Sequence, residues 1–106
     1  MATTKFVVSG EIRIDSGDFD AAVALIEPLV AATNDEAGCI AYDFWVDPRD
    51  RGRVRVFEEW ESEVAMAEHS ASAHLATFYT EMAKLRITSV ELSRFEIASK
   101  DPLPLG

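Results

Sequence analysis

An α+β sandwich, one antiparallel sheet of four strands with helices on one side, is predicted from three features of the 106-residue chain. Four stretches read as strands, three by apolar alternation and one as a nearly continuous apolar run. Two intervening regions carry apolar residues at steps of three and four, the stripe of an amphipathic helix. Turn-forming residues separate these stretches, and the resulting order of strand, helix, strand, strand, helix, strand is that of the ferredoxin-like split unit, βαββαβ.

The first strand holds Phe6, Val8, Gly10, Ile12 and Ile14 on one face and Lys5, Val7, Ser9, Glu11 and Arg13 on the other. Gly10 weakens it locally and marks a bulge, a packing accommodation or a close approach by another group. Ser16, Gly17 and Asp18 form a turn that can cap the next element. Phe19, Ala22, Val23, Ile26 and Val30 then give a helical stripe widened by Leu25 and Leu29. Pro28 falls inside it and predicts a kink or an early end. Asn34 to Gly38, NDEAG, closes this region as a turn.

Cys39 to Val46, CIAYDFWV, reads as a strand covered on both faces. Asp47 to Gly52 is a hairpin-type connection to a third, antiparallel strand, Arg53 to Trp60. There Val54, Val56, Glu58 and Trp60 share one face, opposite Arg55, Phe57 and Glu59. Ser62 stands as the N-cap of a short helix. Ser70-Ala71-Ser72 breaks it, and Ser72 can cap a second helix with the stripe Leu75, Phe78, Met82 and Leu85. Ile87 to Ala98 alternates again as the last strand, and residues 99–106 form a tail whose two prolines bar it from a sheet interior. Several strands look apolar on both faces while the helices cover only one. A second copy of the chain is therefore expected on the other face, closing two sheets into a dimeric α+β barrel.

Composition narrows the function. The length fits a single domain spanning residues 1–106. Nineteen acidic against ten basic side chains give a net charge of -9 with no basic cluster, which disfavours nucleic acid and anionic membrane as partners. The single cysteine, Cys39, cannot form an internal disulfide and reads as inert packing, as in a reducing compartment. No apolar stretch has the length of a signal peptide core or a transmembrane span, so a cytoplasmic protein is expected.

Chemistry concentrates between Arg55 and Phe78, where both histidines lie. The strand brings Glu58 and Trp60 to one face, and the helices after it carry His69, His74 and Phe78 back across the sheet. Each side chain has two readings. Trp60 is core or a stacking surface, and Glu58 is functional or paired with Arg53, Arg55 or Arg94. His74, on the helix face of Phe78, is the preferred candidate, while His69 also fits a C-terminal helix cap. Two histidines and a glutamate can ligate a metal, but their spacing matches no familiar helical ligand motif, and none is expected.

The run Glu58-x-Trp60-Glu61-Ser62, followed by His69 and His74, resembles the antibiotic biosynthesis monooxygenase domain, especially its quinol-monooxygenase-like members. The Gly38-Cys39 step into an aromatic strand is similar, with Ala37 where that family usually has proline. The resemblance implies the dimeric α+β barrel, a pocket between each sheet and its helices, and oxygen chemistry on an aromatic substrate without metal or flavin. Members acting on anthrone-type substrates carry asparagine where Val56 stands and tyrosine where Met66 stands. Haem-degrading relatives use side chains that Gly10, His69 and Tyr79 do not supply, so haem cleavage is not expected. Isomerases of a small phosphorylated sugar derivative share much of the pattern.

The expected activity is cofactor-independent monooxygenation of a small hydroquinone or phenol by dioxygen. His74 or His69 takes the phenolic proton, Glu58 orients a histidine or balances its charge, and Trp60, Tyr42, Phe44 and Phe78 bind the planar ring. Two other functions fit the same residues. One is isomerisation of a phosphorylated ketone, which needs Arg53, Arg55, Lys84 or Arg86 at the site. The other is a non-enzymatic dimeric module that sequesters an apolar ligand.

Overall fold

The computed structural model describes residues 3–105. The elements follow the predicted order: β1 (Phe6–Ile14), a 3-10 turn (Ser16–Asp18), α1 (Phe19–Asn34), β2 (Cys39–Asp47), β3 (Asp50–Trp60), α2 (Glu63–Ser70), α3 (Ala73–Met82) and β4 (Ile87–Glu96). The strands form one sheet in the order β2-β3-β1-β4, and every neighbouring pair is antiparallel. This is the α+β, ferredoxin-like arrangement that the periodicity predicts.

Boundaries differ in four places. The helix α1 runs unbroken through Pro28 to Asn34, so no early end occurs. The proline leaves the Ala24 carbonyl without its helical partner, and packing of α1 on the sheet and on α3 outweighs that loss. The hairpin is tighter than Asp47 to Gly52, because β3 already begins at Asp50. Leu85 lies beyond the end of α3, though still against the core. Finally, β4 stops at Glu96, and Gly106 of the expected tail lies outside the described residues.

Buried strand residues show which face the helices cover. Phe6, Ile14, Tyr42, Val54, Val56, Glu58 and Trp60 are buried, and the register puts them on one face. Ala22, Leu29, Ala65, Leu75, Phe78 and Met82 complete the core from the helices. The opposite face is not covered by the described residues: Trp45 of β2 is 54% exposed and Phe95 of β4 is 49% exposed. The second face of β2 is the one on which a second copy of the chain is expected. No helix among the described residues is long and apolar enough to cross a membrane.

Gly10 explains how β4 sits so close to β1. A Cβ at that position would lie 2.0 Å from the Glu91 carbonyl oxygen and 2.7 Å from Leu92 Cα. The glycine is a site of close approach between strands, and the Leu92 side chain fills the space above it. The helices pack over β2 and β3, so β4 is left as one wall of an open cleft.

Candidate active site

That cleft is a cavity of about 360 Å³ between β4 and the α2–α3 pair. Its floor is made by Val8 and Ile12 of β1, Val56 and Glu58 of β3, and Tyr42 and Phe44 of β2. Leu75, Phe78, Tyr79 and Met82 of α3 form one wall, and Ile87, Val90 and Leu92 the other, while His69 and Ser70 close the end. The lining is overwhelmingly apolar and contains no arginine or lysine.

Local sequence sets the two histidines at an angle. The Ser62 hydroxyl accepts the Ala65 N–H and starts α2. Ser72 then acts at both ends of the break, donating its hydroxyl to the His69 carbonyl at 2.7 Å and accepting the Leu75 N–H at 3.3 Å. The turn of chain between α2 and α3 aims both imidazoles at one carboxylate. His69 Nδ1 and His74 Nε2 each lie 2.7 Å from Glu36 Oε2, both as N–H donors when the carboxylate is ionised.

Glu36 belongs to the NDEAG turn. Its backbone is pinned by an N–H bond to the Thr33 carbonyl and by the Cys39 N–H on its own carbonyl. Two residues on, Gly38 has φ +83°, a left-handed conformation, and a Cβ there would lie 2.5 Å from Ala65 Cβ. The glycine thus lets the turn carrying Glu36 lie against the first turn of α2. Asn34 ties the end of α1 to the sheet by donating to the Tyr42 carbonyl at 2.9 Å.

Glu58 is buried and accepts the Trp60 indole N–H at 2.9 Å. Arg53, Arg55 and Arg94 pair instead with Glu11, Asp47 and Glu63, so the ion pair considered for Glu58 is absent. Burial raises the Glu58 carboxyl above the ordinary range; the indole bond and the field of His69 oppose the shift, and Glu36 adds to it. Burial, with Glu58 nearby, also pushes the Tyr42 phenol up. The Cys39 thiol is pushed up to about 11 by burial and by Glu36 and Glu58, and is protonated at neutral pH.

Of the residues singled out from sequence, His69, Glu58, Tyr42, Phe44 and Phe78 meet at the cavity. Two stand elsewhere. Trp60 is fully buried beneath the site, its ring 4.9 Å from His69 and 6.4 Å from Tyr42, and does not line the space. It sits at the end of β3, where α2 closes over it. His74 lines a separate shallow groove with Leu25, Pro28, Leu29, Thr77 and Phe78. The reading of His69 as a helix cap fails, because its side chain turns inward to Glu36 and is 7% exposed. Sequence reasoning missed Glu36, Tyr79 on the α3 wall, and the β4 wall with Val90 and Leu92. The hydrophobic residues on the inner face of β4 were a signal for that wall.

Comparison with known proteins agrees with this fold. The antibiotic biosynthesis monooxygenase profile matches residues 5–81. An uncharacterized Synechocystis protein is 24% identical over 96% of this chain and 69% of its own length. A Mycobacterium tuberculosis protein, provisionally named a monooxygenase, is 31% identical over 58% of this chain and 60% of its own. The fold matches that of a Deinococcus radiodurans protein provisionally named an antibiotic biosynthesis monooxygenase, with TM-score 0.85 and 21% identity over 95% of this chain and 99% of that one. With most of its length matched by one profile and its fold shared with proteins so named, the chain belongs to the antibiotic biosynthesis monooxygenase family.

Proposed function

We propose that the protein is a cofactor-independent monooxygenase that oxidises a small hydroquinone or related phenol with dioxygen, and that His69 is its base. The observation that carries this reading is an apolar cavity with one imidazole at its end, whose Nδ1 is committed to Glu36. Donation from Nδ1 fixes the tautomer and leaves Nε2 as the lone-pair nitrogen for a substrate proton. Glu36 then stabilises the imidazolium that forms, the part that sequence reasoning gave to Glu58.

A planar ring in the cavity lies among Tyr42, Phe44 and Phe78, with Tyr79 at the mouth. Loss of the phenolic proton to His69 makes the ring a strong one-electron donor. Dioxygen takes that electron, and the semiquinone and superoxide recombine to a ring hydroperoxide. Loss of water leaves a hydroxyquinone, so hydroquinone and dioxygen give hydroxyquinone and water. The protein supplies the base, the orientation and exclusion of water. Glu58, whose burial makes its carboxyl harder to ionise than an ordinary glutamate's, adds a polar contact to the cavity floor.

The cavity chemistry disfavours the isomerase alternative. Arg53 and Arg55 are held by acidic partners, and Lys84 and Arg86 pair with Glu81, Asp15 and Asp18. None of the four lines the cavity, so a phosphate there has no cation to meet it. We place the protein in the cytoplasm as a homodimer, with the free Cys39 and the uncovered sheet face as support.

The test is oxygen uptake with a panel of substituted hydroquinones in chelator-treated buffer. Turnover is expected in the native protein, with a loss of about 10²–10⁴-fold in His69→Ala at unchanged circular dichroism. Equal rates in the two proteins refute His69 as the base. Ligand-induced thermal stabilisation without oxygen uptake for any quinol points to the sequestering module instead.

A further inference from the structure

We propose that Glu36, His69 and His74 form a binding site for a divalent transition-metal ion of the zinc class, held by two imidazole nitrogens and one carboxylate. The three side chains come from the turn before β2, the end of α2 and the start of α3. Their ligand atoms lie within 4.8 Å of one another, and both imidazole nitrogens already point at Glu36 Oε2. Two nitrogens and a carboxylate oxygen are a donor set that zinc takes with tetrahedral geometry, leaving a fourth position for water. The sequence conceals this set because the glutamate is not on the histidines' helices. The spacing of the motif is built from three elements, and the Ser72 break supplies the angle.

Zinc bonds of ~2.0–2.1 Å separate tetrahedral ligands by about 3.3 Å, so the widest pair must draw together while the carboxylate moves outward. His74 has room for this, with its side chain 29% exposed at the first turn of α3. His69 and Glu36, at 7% and 15%, form the protected side. What binds is a cation in place of shared protons. Each ring now gives one N–H to Glu36, and on metallation that proton moves to the ring's other nitrogen, so no net proton is lost from two neutral imidazoles. The net charge of -9 favours cation approach.

Occupation has a consequence for the cavity. With a metal on Nδ1, His69 presents Nε2–H instead of a lone pair and can no longer accept a proton. The ion is therefore an inhibitor and not a cofactor, a consequence that rests on His69 being the base. The binding site itself does not rest on that reading.

The experiment is calorimetric titration of chelator-stripped protein with Zn²⁺, with Co²⁺ absorption as a probe of tetrahedral ligation. One saturable ion per chain is expected, bound about tenfold or more weakly in both Glu36→Gln and His74→Gln. His74→Gln alters a partly exposed side chain, so its folded state, checked by melting, keeps the comparison usable if Glu36→Gln does not fold. Absence of saturable binding overturns the proposal, as does equal affinity in native protein and His74→Gln, which assigns the ion to the acidic surface. If quinols are turned over, Zn²⁺ is expected to inhibit, and more weakly in His74→Gln. Zinc binding without quinol turnover sinks the oxygenase reading alone; turnover without zinc binding sinks the metal site alone.

Discussion

Glu58 shows how one side chain couples the stability of the fold to the site. Its carboxyl is raised by burial above its ordinary value of 4.5, so the folded chain holds the proton where the unfolded chain has already lost it. Stability therefore falls as pH rises from the unfolded value through the folded one, and the loss is complete above the latter. Glu58→Gln keeps an oxygen to accept the Trp60 N–H and removes the ionisation. Urea denaturation across pH 4 to 8 is expected to give a flatter profile for the variant than for the native protein, with the variant gaining relative stability toward the alkaline end. Parallel profiles would show that Glu58 ionises as freely in the fold as outside it. This burial was legible from strand alternation, which places Glu58 with Val54, Val56 and Trp60. Glu36 was not legible: it lies in a polar turn, where an acidic residue reads as solvated, and its partners are 33 and 38 residues away.

At the scale of elements, the junction of α2 and α3 decides the geometry of the site. Ser72 ends one helix by bonding the His69 carbonyl and begins the next by accepting the Leu75 N–H. Ser72→Ala removes both bonds and is expected to cost about 1 kcal/mol of stability, with faster hydrogen exchange at Leu75 and in the last turn of α2. Unchanged stability and exchange would mean that packing of Leu75 and Phe78 alone sets the angle. The break itself could be read from Ser70-Ala71-Ser72, as could every strand and helix, because local period and turn chemistry agree along the chain. Depth was harder. Alternation assigns a face to Trp60 but not a position along the strand relative to the helices, and α2 closes over that end. A helical stripe likewise put His74 beside Phe78 without saying that Phe78 reaches two hollows, the cavity and the outer groove.

For the whole molecule the second face of the sheet, with Trp45 and Phe95 exposed on it, governs association. The register places Val7, Phe57 and Phe95 there with Trp45, beside an ion-paired group of Glu11, Arg53 and Arg55. An exposed tryptophan and phenylalanine on an uncovered sheet face are costly in water, and the paired charges leave little net repulsion across a two-fold axis. A second copy seated face to face is the proposed solution, with a standard interface burying ~800 Å² per partner. Native mass spectrometry is expected to find twice the 11.7 kDa chain mass, and Trp45→Glu to shift the population toward monomer by placing a charge in the apolar patch. The cavity lies on the other face, so monomeric Trp45→Glu should retain the zinc-binding cluster. A dimer that survives Trp45→Glu and Phe95→Glu alike would move the contact to the free edge of β2 or β4, where unpaired backbone groups offer the other route to association.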